Sequence, residues 1–183
     1  TAELTALNAL QHLSAIATTT RTYVSAMGDT TAKLLDTRKT LPGWRKLEKY
    51  ATRMGGAQNH RMGLYDGVMI KDNHIGVVGS ITKCVEAARA ANLPKIEVEC
   101  DTLDQVAEAA TAGADIILLD NMGPEMLREA VAIVNGRCKT EASGGVNLQT
   151  IGAIAATGVD YVSVGRITQS APAVDIGLDV AIL

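Results

Sequence analysis

From Lys33 onward, six short apolar runs alternate with longer amphipathic stretches, and that rhythm leaves few folds open. The runs fall at 33–36, 67–70, 95–99, 115–119, 139–142 and 161–164, each of strand length. The stretches between them predict helices over 43–54, 80–91, 102–112, 124–134 and 148–157. Pro42 and Pro124 stand where a helix begins, and Gly113 and Gly158 where one ends. Repeated strand–helix units spaced by roughly 20–30 residues require a parallel sheet with helical crossovers. Six units fit an incomplete, six- to seven-stranded, TIM-like α/β barrel. A full eight-fold barrel takes about 250 residues, and this chain has 183. Ahead of the first strand, Leu4, Leu7, Leu10, Leu13 and Ile16 recur near helical spacing and predict a leading helix over 1–27. His12 is assigned to the solvated face of that helix.

The polar residues choose one end of the strands. Arg38 and Lys39 follow the first strand, Lys71 the second, and Glu99 closes the third. Asp120 closes the fourth, Ser143-Gly144-Gly145 follows the fifth, and Gly165 the sixth. In a parallel barrel those carboxyl ends meet on one face, and barrel enzymes carry their active sites there. Lys33, Lys95, Asp115 and Lys139 stand at the amino ends, so solvation of strand ends is the competing explanation.

Residue types sharpen the reading. Arg38, Lys39, Arg45, Lys46, Lys49, Arg53, Arg61 and Lys71 are eight of the 17 Lys and Arg, packed into one window of a chain of net charge −3. Between Arg38 and Lys71 only Glu48 and Asp66 oppose them, the pattern of an anion site. Ser143-Gly144-Gly145-Val146-Asn147 suits a phosphate cradle, with a following helix adding its positive end, although a plain turn reads the same way. Gly165 delivers a second glycine-ended turn on the next strand. Glu99 and Asp120, on neighbouring strand ends, could hold sugar hydroxyls, or Mg²⁺ through water, or face a developing positive charge. His60 beside Arg61 is suited to hydrogen-bonding an anion, or is a surface-loop histidine. His74 reads as a turn cap. Neither has metal-ligand neighbours in sequence, so no zinc site is expected.

Composition excludes several classes. Aromatics are only 3% and Phe is absent, so aliphatic side chains must fill the core. Mild acidity with no basic, aromatic-studded face argues against nucleic acid. No apolar run approaches the roughly 20 residues that cross a bilayer, and no signal peptide is visible. Cys84, Cys100 and Cys138 are odd in number and widely spaced, which predicts free thiols in a reducing, cytoplasmic compartment.

Several long motifs, in order, resemble the quinolinate phosphoribosyltransferase family. They are DTRKTLPGWRKLEKYA, the GG-Q-NHR-GLYDGVMIKDNHI run, EVE, LLDN, EASGG and GVDYVSVGRIT, and together they cover nearly the whole chain. The resemblance implies transfer of phosphoribose from PRPP to quinolinate, releasing pyrophosphate and CO₂ and giving nicotinate mononucleotide for NAD synthesis. It implies a catalytic barrel domain over 1–183, without the smaller sandwich domain that precedes it in the family, and a homodimer or larger assembly of dimers. Carried over by motif, Thr37, Arg38, His60, Arg61 and Lys71 would surround the two substrate carboxylates. Lys39, Glu99 and Asp120 would hold PRPP and its Mg²⁺, with Lys71 counted among the catalytic groups. Ser143, Gly144, Gly145 and Gly165 would receive the 5′-phosphate.

The chain departs from the family pattern at Leu4, where an Arg is expected that reaches into the neighbouring subunit's site. Arg21 is the candidate to compensate. Ala15 and Ala57 replace customary glycines. Two other functions stay open at this stage. One is a related pyrophosphorylase acting on another aromatic carboxylate, and the other is a catalytically weakened phosphate-binding or dimer-scaffold domain.

Overall fold

The computed structural model describes residues 2–179. Helix α1 (Ala2–Ala26) leads into β1 (Lys33–Leu35), α2 (Arg45–Gly55), β2 (Val68–Ile70), α3 (Asp72–Val78), α4 (Ile81–Ala90) and β3 (Ile96–Cys100). Then come α5 (Leu103–Ala112), β4 (Ile116–Asp120), α6 (Pro124–Val134), β5 (Lys139–Ser143), α7 (Ile151–Ala155), β6 (Tyr161–Ser163) and α8 (Arg166–Gln169). The strands form one parallel sheet in the order β1-β6-β5-β4-β3-β2. Pairing of the first strand with the last, Leu34 opposite Val162, curls the sheet into a barrel. On the other side of β1, Gln58 bridges Leu35 in parallel, so the stretch around Gln58 occupies the gap towards β2. This is the incomplete α/β barrel that the alternation predicts.

Period-two alternation sorts the strand residues between two environments. On β3, Ile96, Val98 and Cys100 are fully buried and join the aliphatic core with Val85, Val106 and Leu127 from the surrounding helices. Ile117 and Leu119 on β4 and Val162 on β6 belong to the same core. Each such side chain contributes about 1.5–3 kcal/mol by leaving water. The intervening positions, Glu97, Glu99, Leu118, Asp120, Glu141, Ser143 and Ser163, line cavities inside the barrel. The apolar core therefore lies between sheet and helices, and the lumen is left to polar chemistry.

Local signals set the helix ends. Ser80 caps α4 by accepting from the Lys83 amide, and Thr102 and Gln105 form a reciprocal capping box on α5. Pro124 occupies the first turn of α6, and Gly113 closes α5 at φ 83°.

Four details differ from expectation. Helix α2 starts at Arg45 rather than at 43, because the Trp44 amide closes a turn on the Leu41 carbonyl. Helix α3 was not anticipated, since seven residues with a central Gly76 carry little helical periodicity. The helix expected over 148–157 shrinks to α7, because Asn147 Oδ1 accepts from the Gln149 and Thr150 amides and holds 147–150 as a turn. His12 is half-buried rather than solvated: its Nε2 lies 2.8 Å from the buried Glu48 carboxylate and its ring packs edge-on to Trp44.

Cys84, Cys100 and Cys138 are free thiols, the first two buried. Burial pushes the Cys100 thiol up to about 12, which keeps it protonated and unreactive. Among the described residues no helix is long and apolar enough to cross a membrane.

Candidate active site

The carboxyl end of β1 runs into Asp36, which is fully buried and serves as the hub of the site's foundation. Its carboxylate accepts from Lys49 Nζ (2.5 Å), Thr52 Oγ1 (2.9 Å), Asn59 Nδ2 (2.5 Å) and the His60 amide (2.8 Å). Lys49 also donates to the His60 carbonyl. These bonds tie β1, α2 and the 59–60 stretch together, and they put His60 and Arg61 beside the strand ends. Arg61 is held in turn by the Gly67 carbonyl at 2.9 Å. Asp66 closes the intervening loop by accepting from the Met62 and Gly63 amides.

A cavity of about 300 Å³ opens at the carboxyl ends of the strands, lined by Thr37, Arg38, Lys39, His60, Arg61, Met69, Lys71, Glu99, Leu118, Asp120, Glu141, Ser143 and Ser163. An adjoining cavity of about 510 Å³ is lined by the loops after β5 and β6, with Gly144, Gly145, Gly165, Asn121, Arg166 and Gln169 in its wall. Thr37, Lys39, Asp120, Ser143 and Ser163 face both. All twelve residues singled out from sequence therefore line one continuous site. The cation window divides, however. Only Arg38, Lys39, Arg61 and Lys71 face the first cavity. Arg45 is spent on Thr40 and the Arg38 and Met62 carbonyls, Lys49 on Asp36, and Lys46 and Arg53 are exposed on α2. Clustering in sequence puts these cations near one another, but helix α2 turns half of them away.

The glycines are needed where they stand. Gly144 has φ +91° and Gly145 φ +62°, and a Cβ on Gly144 would come 2.8 Å from the Asn121 backbone nitrogen. The helix expected to follow them begins only at Ile151, so the turn's own backbone, rather than a helix end, shapes this cradle.

Charges in the site are strongly coupled. Lys71 Nζ is paired with the Glu99 carboxylate. Burial, together with the charges of Glu99 and Asp101, holds the Asp120 carboxyl above its usual range, although Asn121 donates to it at 2.7 Å. Two carboxyls that repel in this way fit a bound cation. Burial, aided by Arg38, holds the Arg61 pKa below its ordinary value.

His60 differs from expectation. Its Nε2 lies 3.4 Å from Glu97 Oε2 and 3.4 Å from Glu141 Oε1, so its partners are the chain's own carboxylates. The three residues also bring metal-ligand atom types within 4.8 Å of one another, company that the spacing of the sequence does not show. Burial lowers the His60 pKa, but Glu141 and Glu97 outweigh it and carry it up to about 10. Burial likewise raises Glu97. The cluster thus keeps one proton more than isolated groups would. Because Nδ1 accepts from the Arg61 amide at 2.7 Å, Nε2 carries the ring hydrogen, and the additional proton is held by the Glu97 and Glu141 carboxylates that face it. Sequence reading missed both glutamates. The signal was available: Glu97 shares Glu99's face two residues away, and Glu141 is a charge in a central strand.

His74 caps the turn, as its place in the sequence predicts, with its Nδ1 accepting from the Lys71 amide. Leu4 is 65% exposed, on the outside of α1. Arg21 lies against Gly56 and does not line either cavity.

Known proteins share this architecture. NadC from Streptococcus pyogenes superposes with a TM-score of 0.92 at 48% identity, over 96% of this chain and 62% of that one. The nicotinate-nucleotide pyrophosphorylase (carboxylating) of Mycobacterium leprae is 48% identical over 184 residues, 98% of this chain and 64% of that protein. The rat protein of the same name is 43% identical over 183 residues, 96% of this chain and 61% of its own length. The chain thus spans less than two thirds of the relatives it matches. The family described as quinolinate phosphoribosyl transferase, C-terminal domain, matches residues 16–179. On that match, and on the shared barrel, the chain belongs to the quinolinate phosphoribosyl transferase family.

Proposed function

We propose that the protein transfers phosphoribose from PRPP to quinolinate with loss of CO₂, forming nicotinate mononucleotide and pyrophosphate for NAD synthesis. The observation that carries this reading is the junction of the two cavities. Four cations face one, paired glycine turns line the other, and Lys39, Thr37, Asp120 and Ser143 are common to both. Such a site suits an aromatic dianion joined at one point to a sugar phosphate.

In this reading Arg38, Arg61, Lys71 and Thr37 hold the two carboxylates. His60, whose ring nitrogens are taken by Glu97, Glu141 and the Arg61 amide, lines the cavity beside them. The planar guanidinium forks suit carboxylates better than point charges would. Ser143, Gly144, Gly145 and Gly165 receive the 5′-phosphate, and Lys39 neutralises the departing pyrophosphate. Holding the ring nitrogen against the sugar supplies proximity. Glu99 and Asp120 face the ribose as positive charge develops on it. The ring nitrogen, once quaternary, stabilises by its positive charge the electron pair that departing CO₂ leaves on the adjacent ring carbon. That carbon then takes a proton from water, so no covalent enzyme intermediate is needed. Glu99 and Asp120 are also the residues that would hold Mg²⁺, whose mutual repulsion a cation relieves. The ion would supply charge neutralisation to the diphosphate. A homodimer, or an assembly of dimers, in the cytoplasm is part of the same reading.

Incubation with quinolinate, PRPP and Mg²⁺, followed by chromatographic detection of nicotinate mononucleotide, tests it. One product molecule per pyrophosphate released is expected. Product from nicotinate but not from quinolinate would assign the site to another aromatic acid. PRPP binding without turnover would make it a scaffold.

A further inference from the structure

In the barrel lumen, where Glu141 lines the catalytic cavity, Glu97 and Glu141 are 3% and 1% exposed. Among the described residues Glu97 Oε1 and both Glu141 oxygens lack a well-formed hydrogen bond, the 3.4 Å approach of His60 Nε2 to Glu141 Oε1 apart. Two buried carboxylates so poorly satisfied are expensive, and apolar side chains of the same volume would often stabilise the barrel more. Stability alone therefore does not account for them. What they touch is His60, whose Nε2 lies equally far from each.

The other edge of the same ring is fixed too. The Arg61 amide donates to His60 Nδ1, so the ring has one orientation, with Nε2–H turned to the carboxylates and Nδ1 to the backbone of Arg61. The ring thus links the carboxylates on β3 and β5 to the residue that presents a guanidinium to the cavity. Its amide and carbonyl are already anchored to Asp36 and Lys49. The side chain is the remaining freedom, and the glutamates remove it.

A metal centre is the rival reading. Separations of 3.4 Å match the edge of a tetrahedron around an ion at ~2.1 Å. It fails on the tautomer. With Nδ1 accepting from an amide, Nε2 carries the hydrogen and has no lone pair to offer.

We propose that Glu97 and Glu141 are positioning residues of the substrate site, holding the His60 ring and, through it, the Arg61 backbone in the geometry that receives the aromatic dicarboxylate. The inference rests on the function proposed above. It assigns a role to two residues that do not touch the phosphoribosyl cavity's glycine walls, so their effect belongs to one substrate only.

The test is steady-state kinetics of Glu141→Gln and Glu97→Gln, both near-isosteric, with thermal melts to verify folding. Each should raise KM for quinolinate about tenfold while leaving KM for PRPP within about twofold. In a His60→Ala background, Glu141→Gln should add nothing further, because the glutamate acts through the ring. An unchanged quinolinate KM in folded variants overturns the proposal, and so does an equal rise for both substrates or failure of both variants to fold, which would make the role structural. Stoichiometric zinc in protein purified without chelator, lost in Glu141→Gln, would overturn it in favour of a metal centre. No turnover of quinolinate by the unmodified protein refutes the proposed function first, and this inference falls with it.

Discussion

The Lys49 ammonium, 1% exposed, lies 2.5 Å from Asp36 Oδ1, and this buried pair fastens α2 to the end of β1 from which the site is built. Removing one partner strands a buried charge. Lys49→Met should lower unfolding stability by about 3–5 kcal/mol. It should also impair quinolinate binding, since the His60 carbonyl loses its anchor. Denaturant titration with a matched binding assay checks both, and a loss below about 1 kcal/mol would contradict the role given to this pair.

Arg61 and Lys71 face the cavity that is assigned to the dicarboxylate. Replacing either with Ala removes charge-assisted bonds worth roughly 1.5–3 kcal/mol. Catalytic efficiency should fall by at least about tenfold with the fold intact. Lys71→Ala also leaves Glu99 without its cationic partner, so its effect should extend to PRPP. Unmodified kinetics in both variants would remove these residues from the site.

Asp120 stands where the two cavities meet. Asp120→Asn should weaken binding of Mg²⁺-PRPP and leave quinolinate binding nearly unchanged. Calorimetric titration with each ligand separates the two. Equal losses would mean that the site had collapsed as a whole.

Leu4 is exposed on α1 rather than part of the core, so the position is free to accept a long cation. If the family's Arg at this position serves a neighbouring subunit's site, Leu4→Arg in the assembled protein should lower KM for quinolinate and spare KM for PRPP. The gain is about tenfold to a hundredfold in affinity, from a bond of about 1.5–3 kcal/mol. A quinolinate KM that stays the same or rises, in folded and assembled protein, counts against it.

The His60 cluster gives stability a pH dependence of known sign. Its pKa is raised from 6.5 to about 10 in the folded chain, so its contribution is complete below about pH 6.5 and is lost as pH rises towards 10. The free energy of unfolding should fall by about 1 kcal/mol per pH unit between roughly pH 7 and 8.5, where one proton separates the folded and unfolded states. Denaturant melts across that range measure it directly. A flat profile would show that the cluster holds no extra proton.

Much of this protein is written locally. Alternating apolar runs and amphipathic stretches require parallel strands with helical crossovers, because no other arrangement buries both patterns. Gly144, Gly145 and Gly165 at strand ends, and carboxylates at Glu99 and Asp120, announce a face with chemistry on it, because parallel strands bring their like ends together. The long motifs identify the family. What a one-dimensional pattern cannot contain is which side of a helix or strand meets which neighbour. Lys49 and Arg61 read alike as cations in one basic window, yet one is sealed against Asp36 and the other opens to the cavity. Eight cations become four site residues only when α2 is laid against the barrel. His60, Glu97 and Glu141 lie far apart along the chain and are joined only by barrel closure, which brings β3, β5 and the segment beside β1 around one lumen. Their shared proton is a property of that distance and burial, and neither quantity exists before the tertiary structure does.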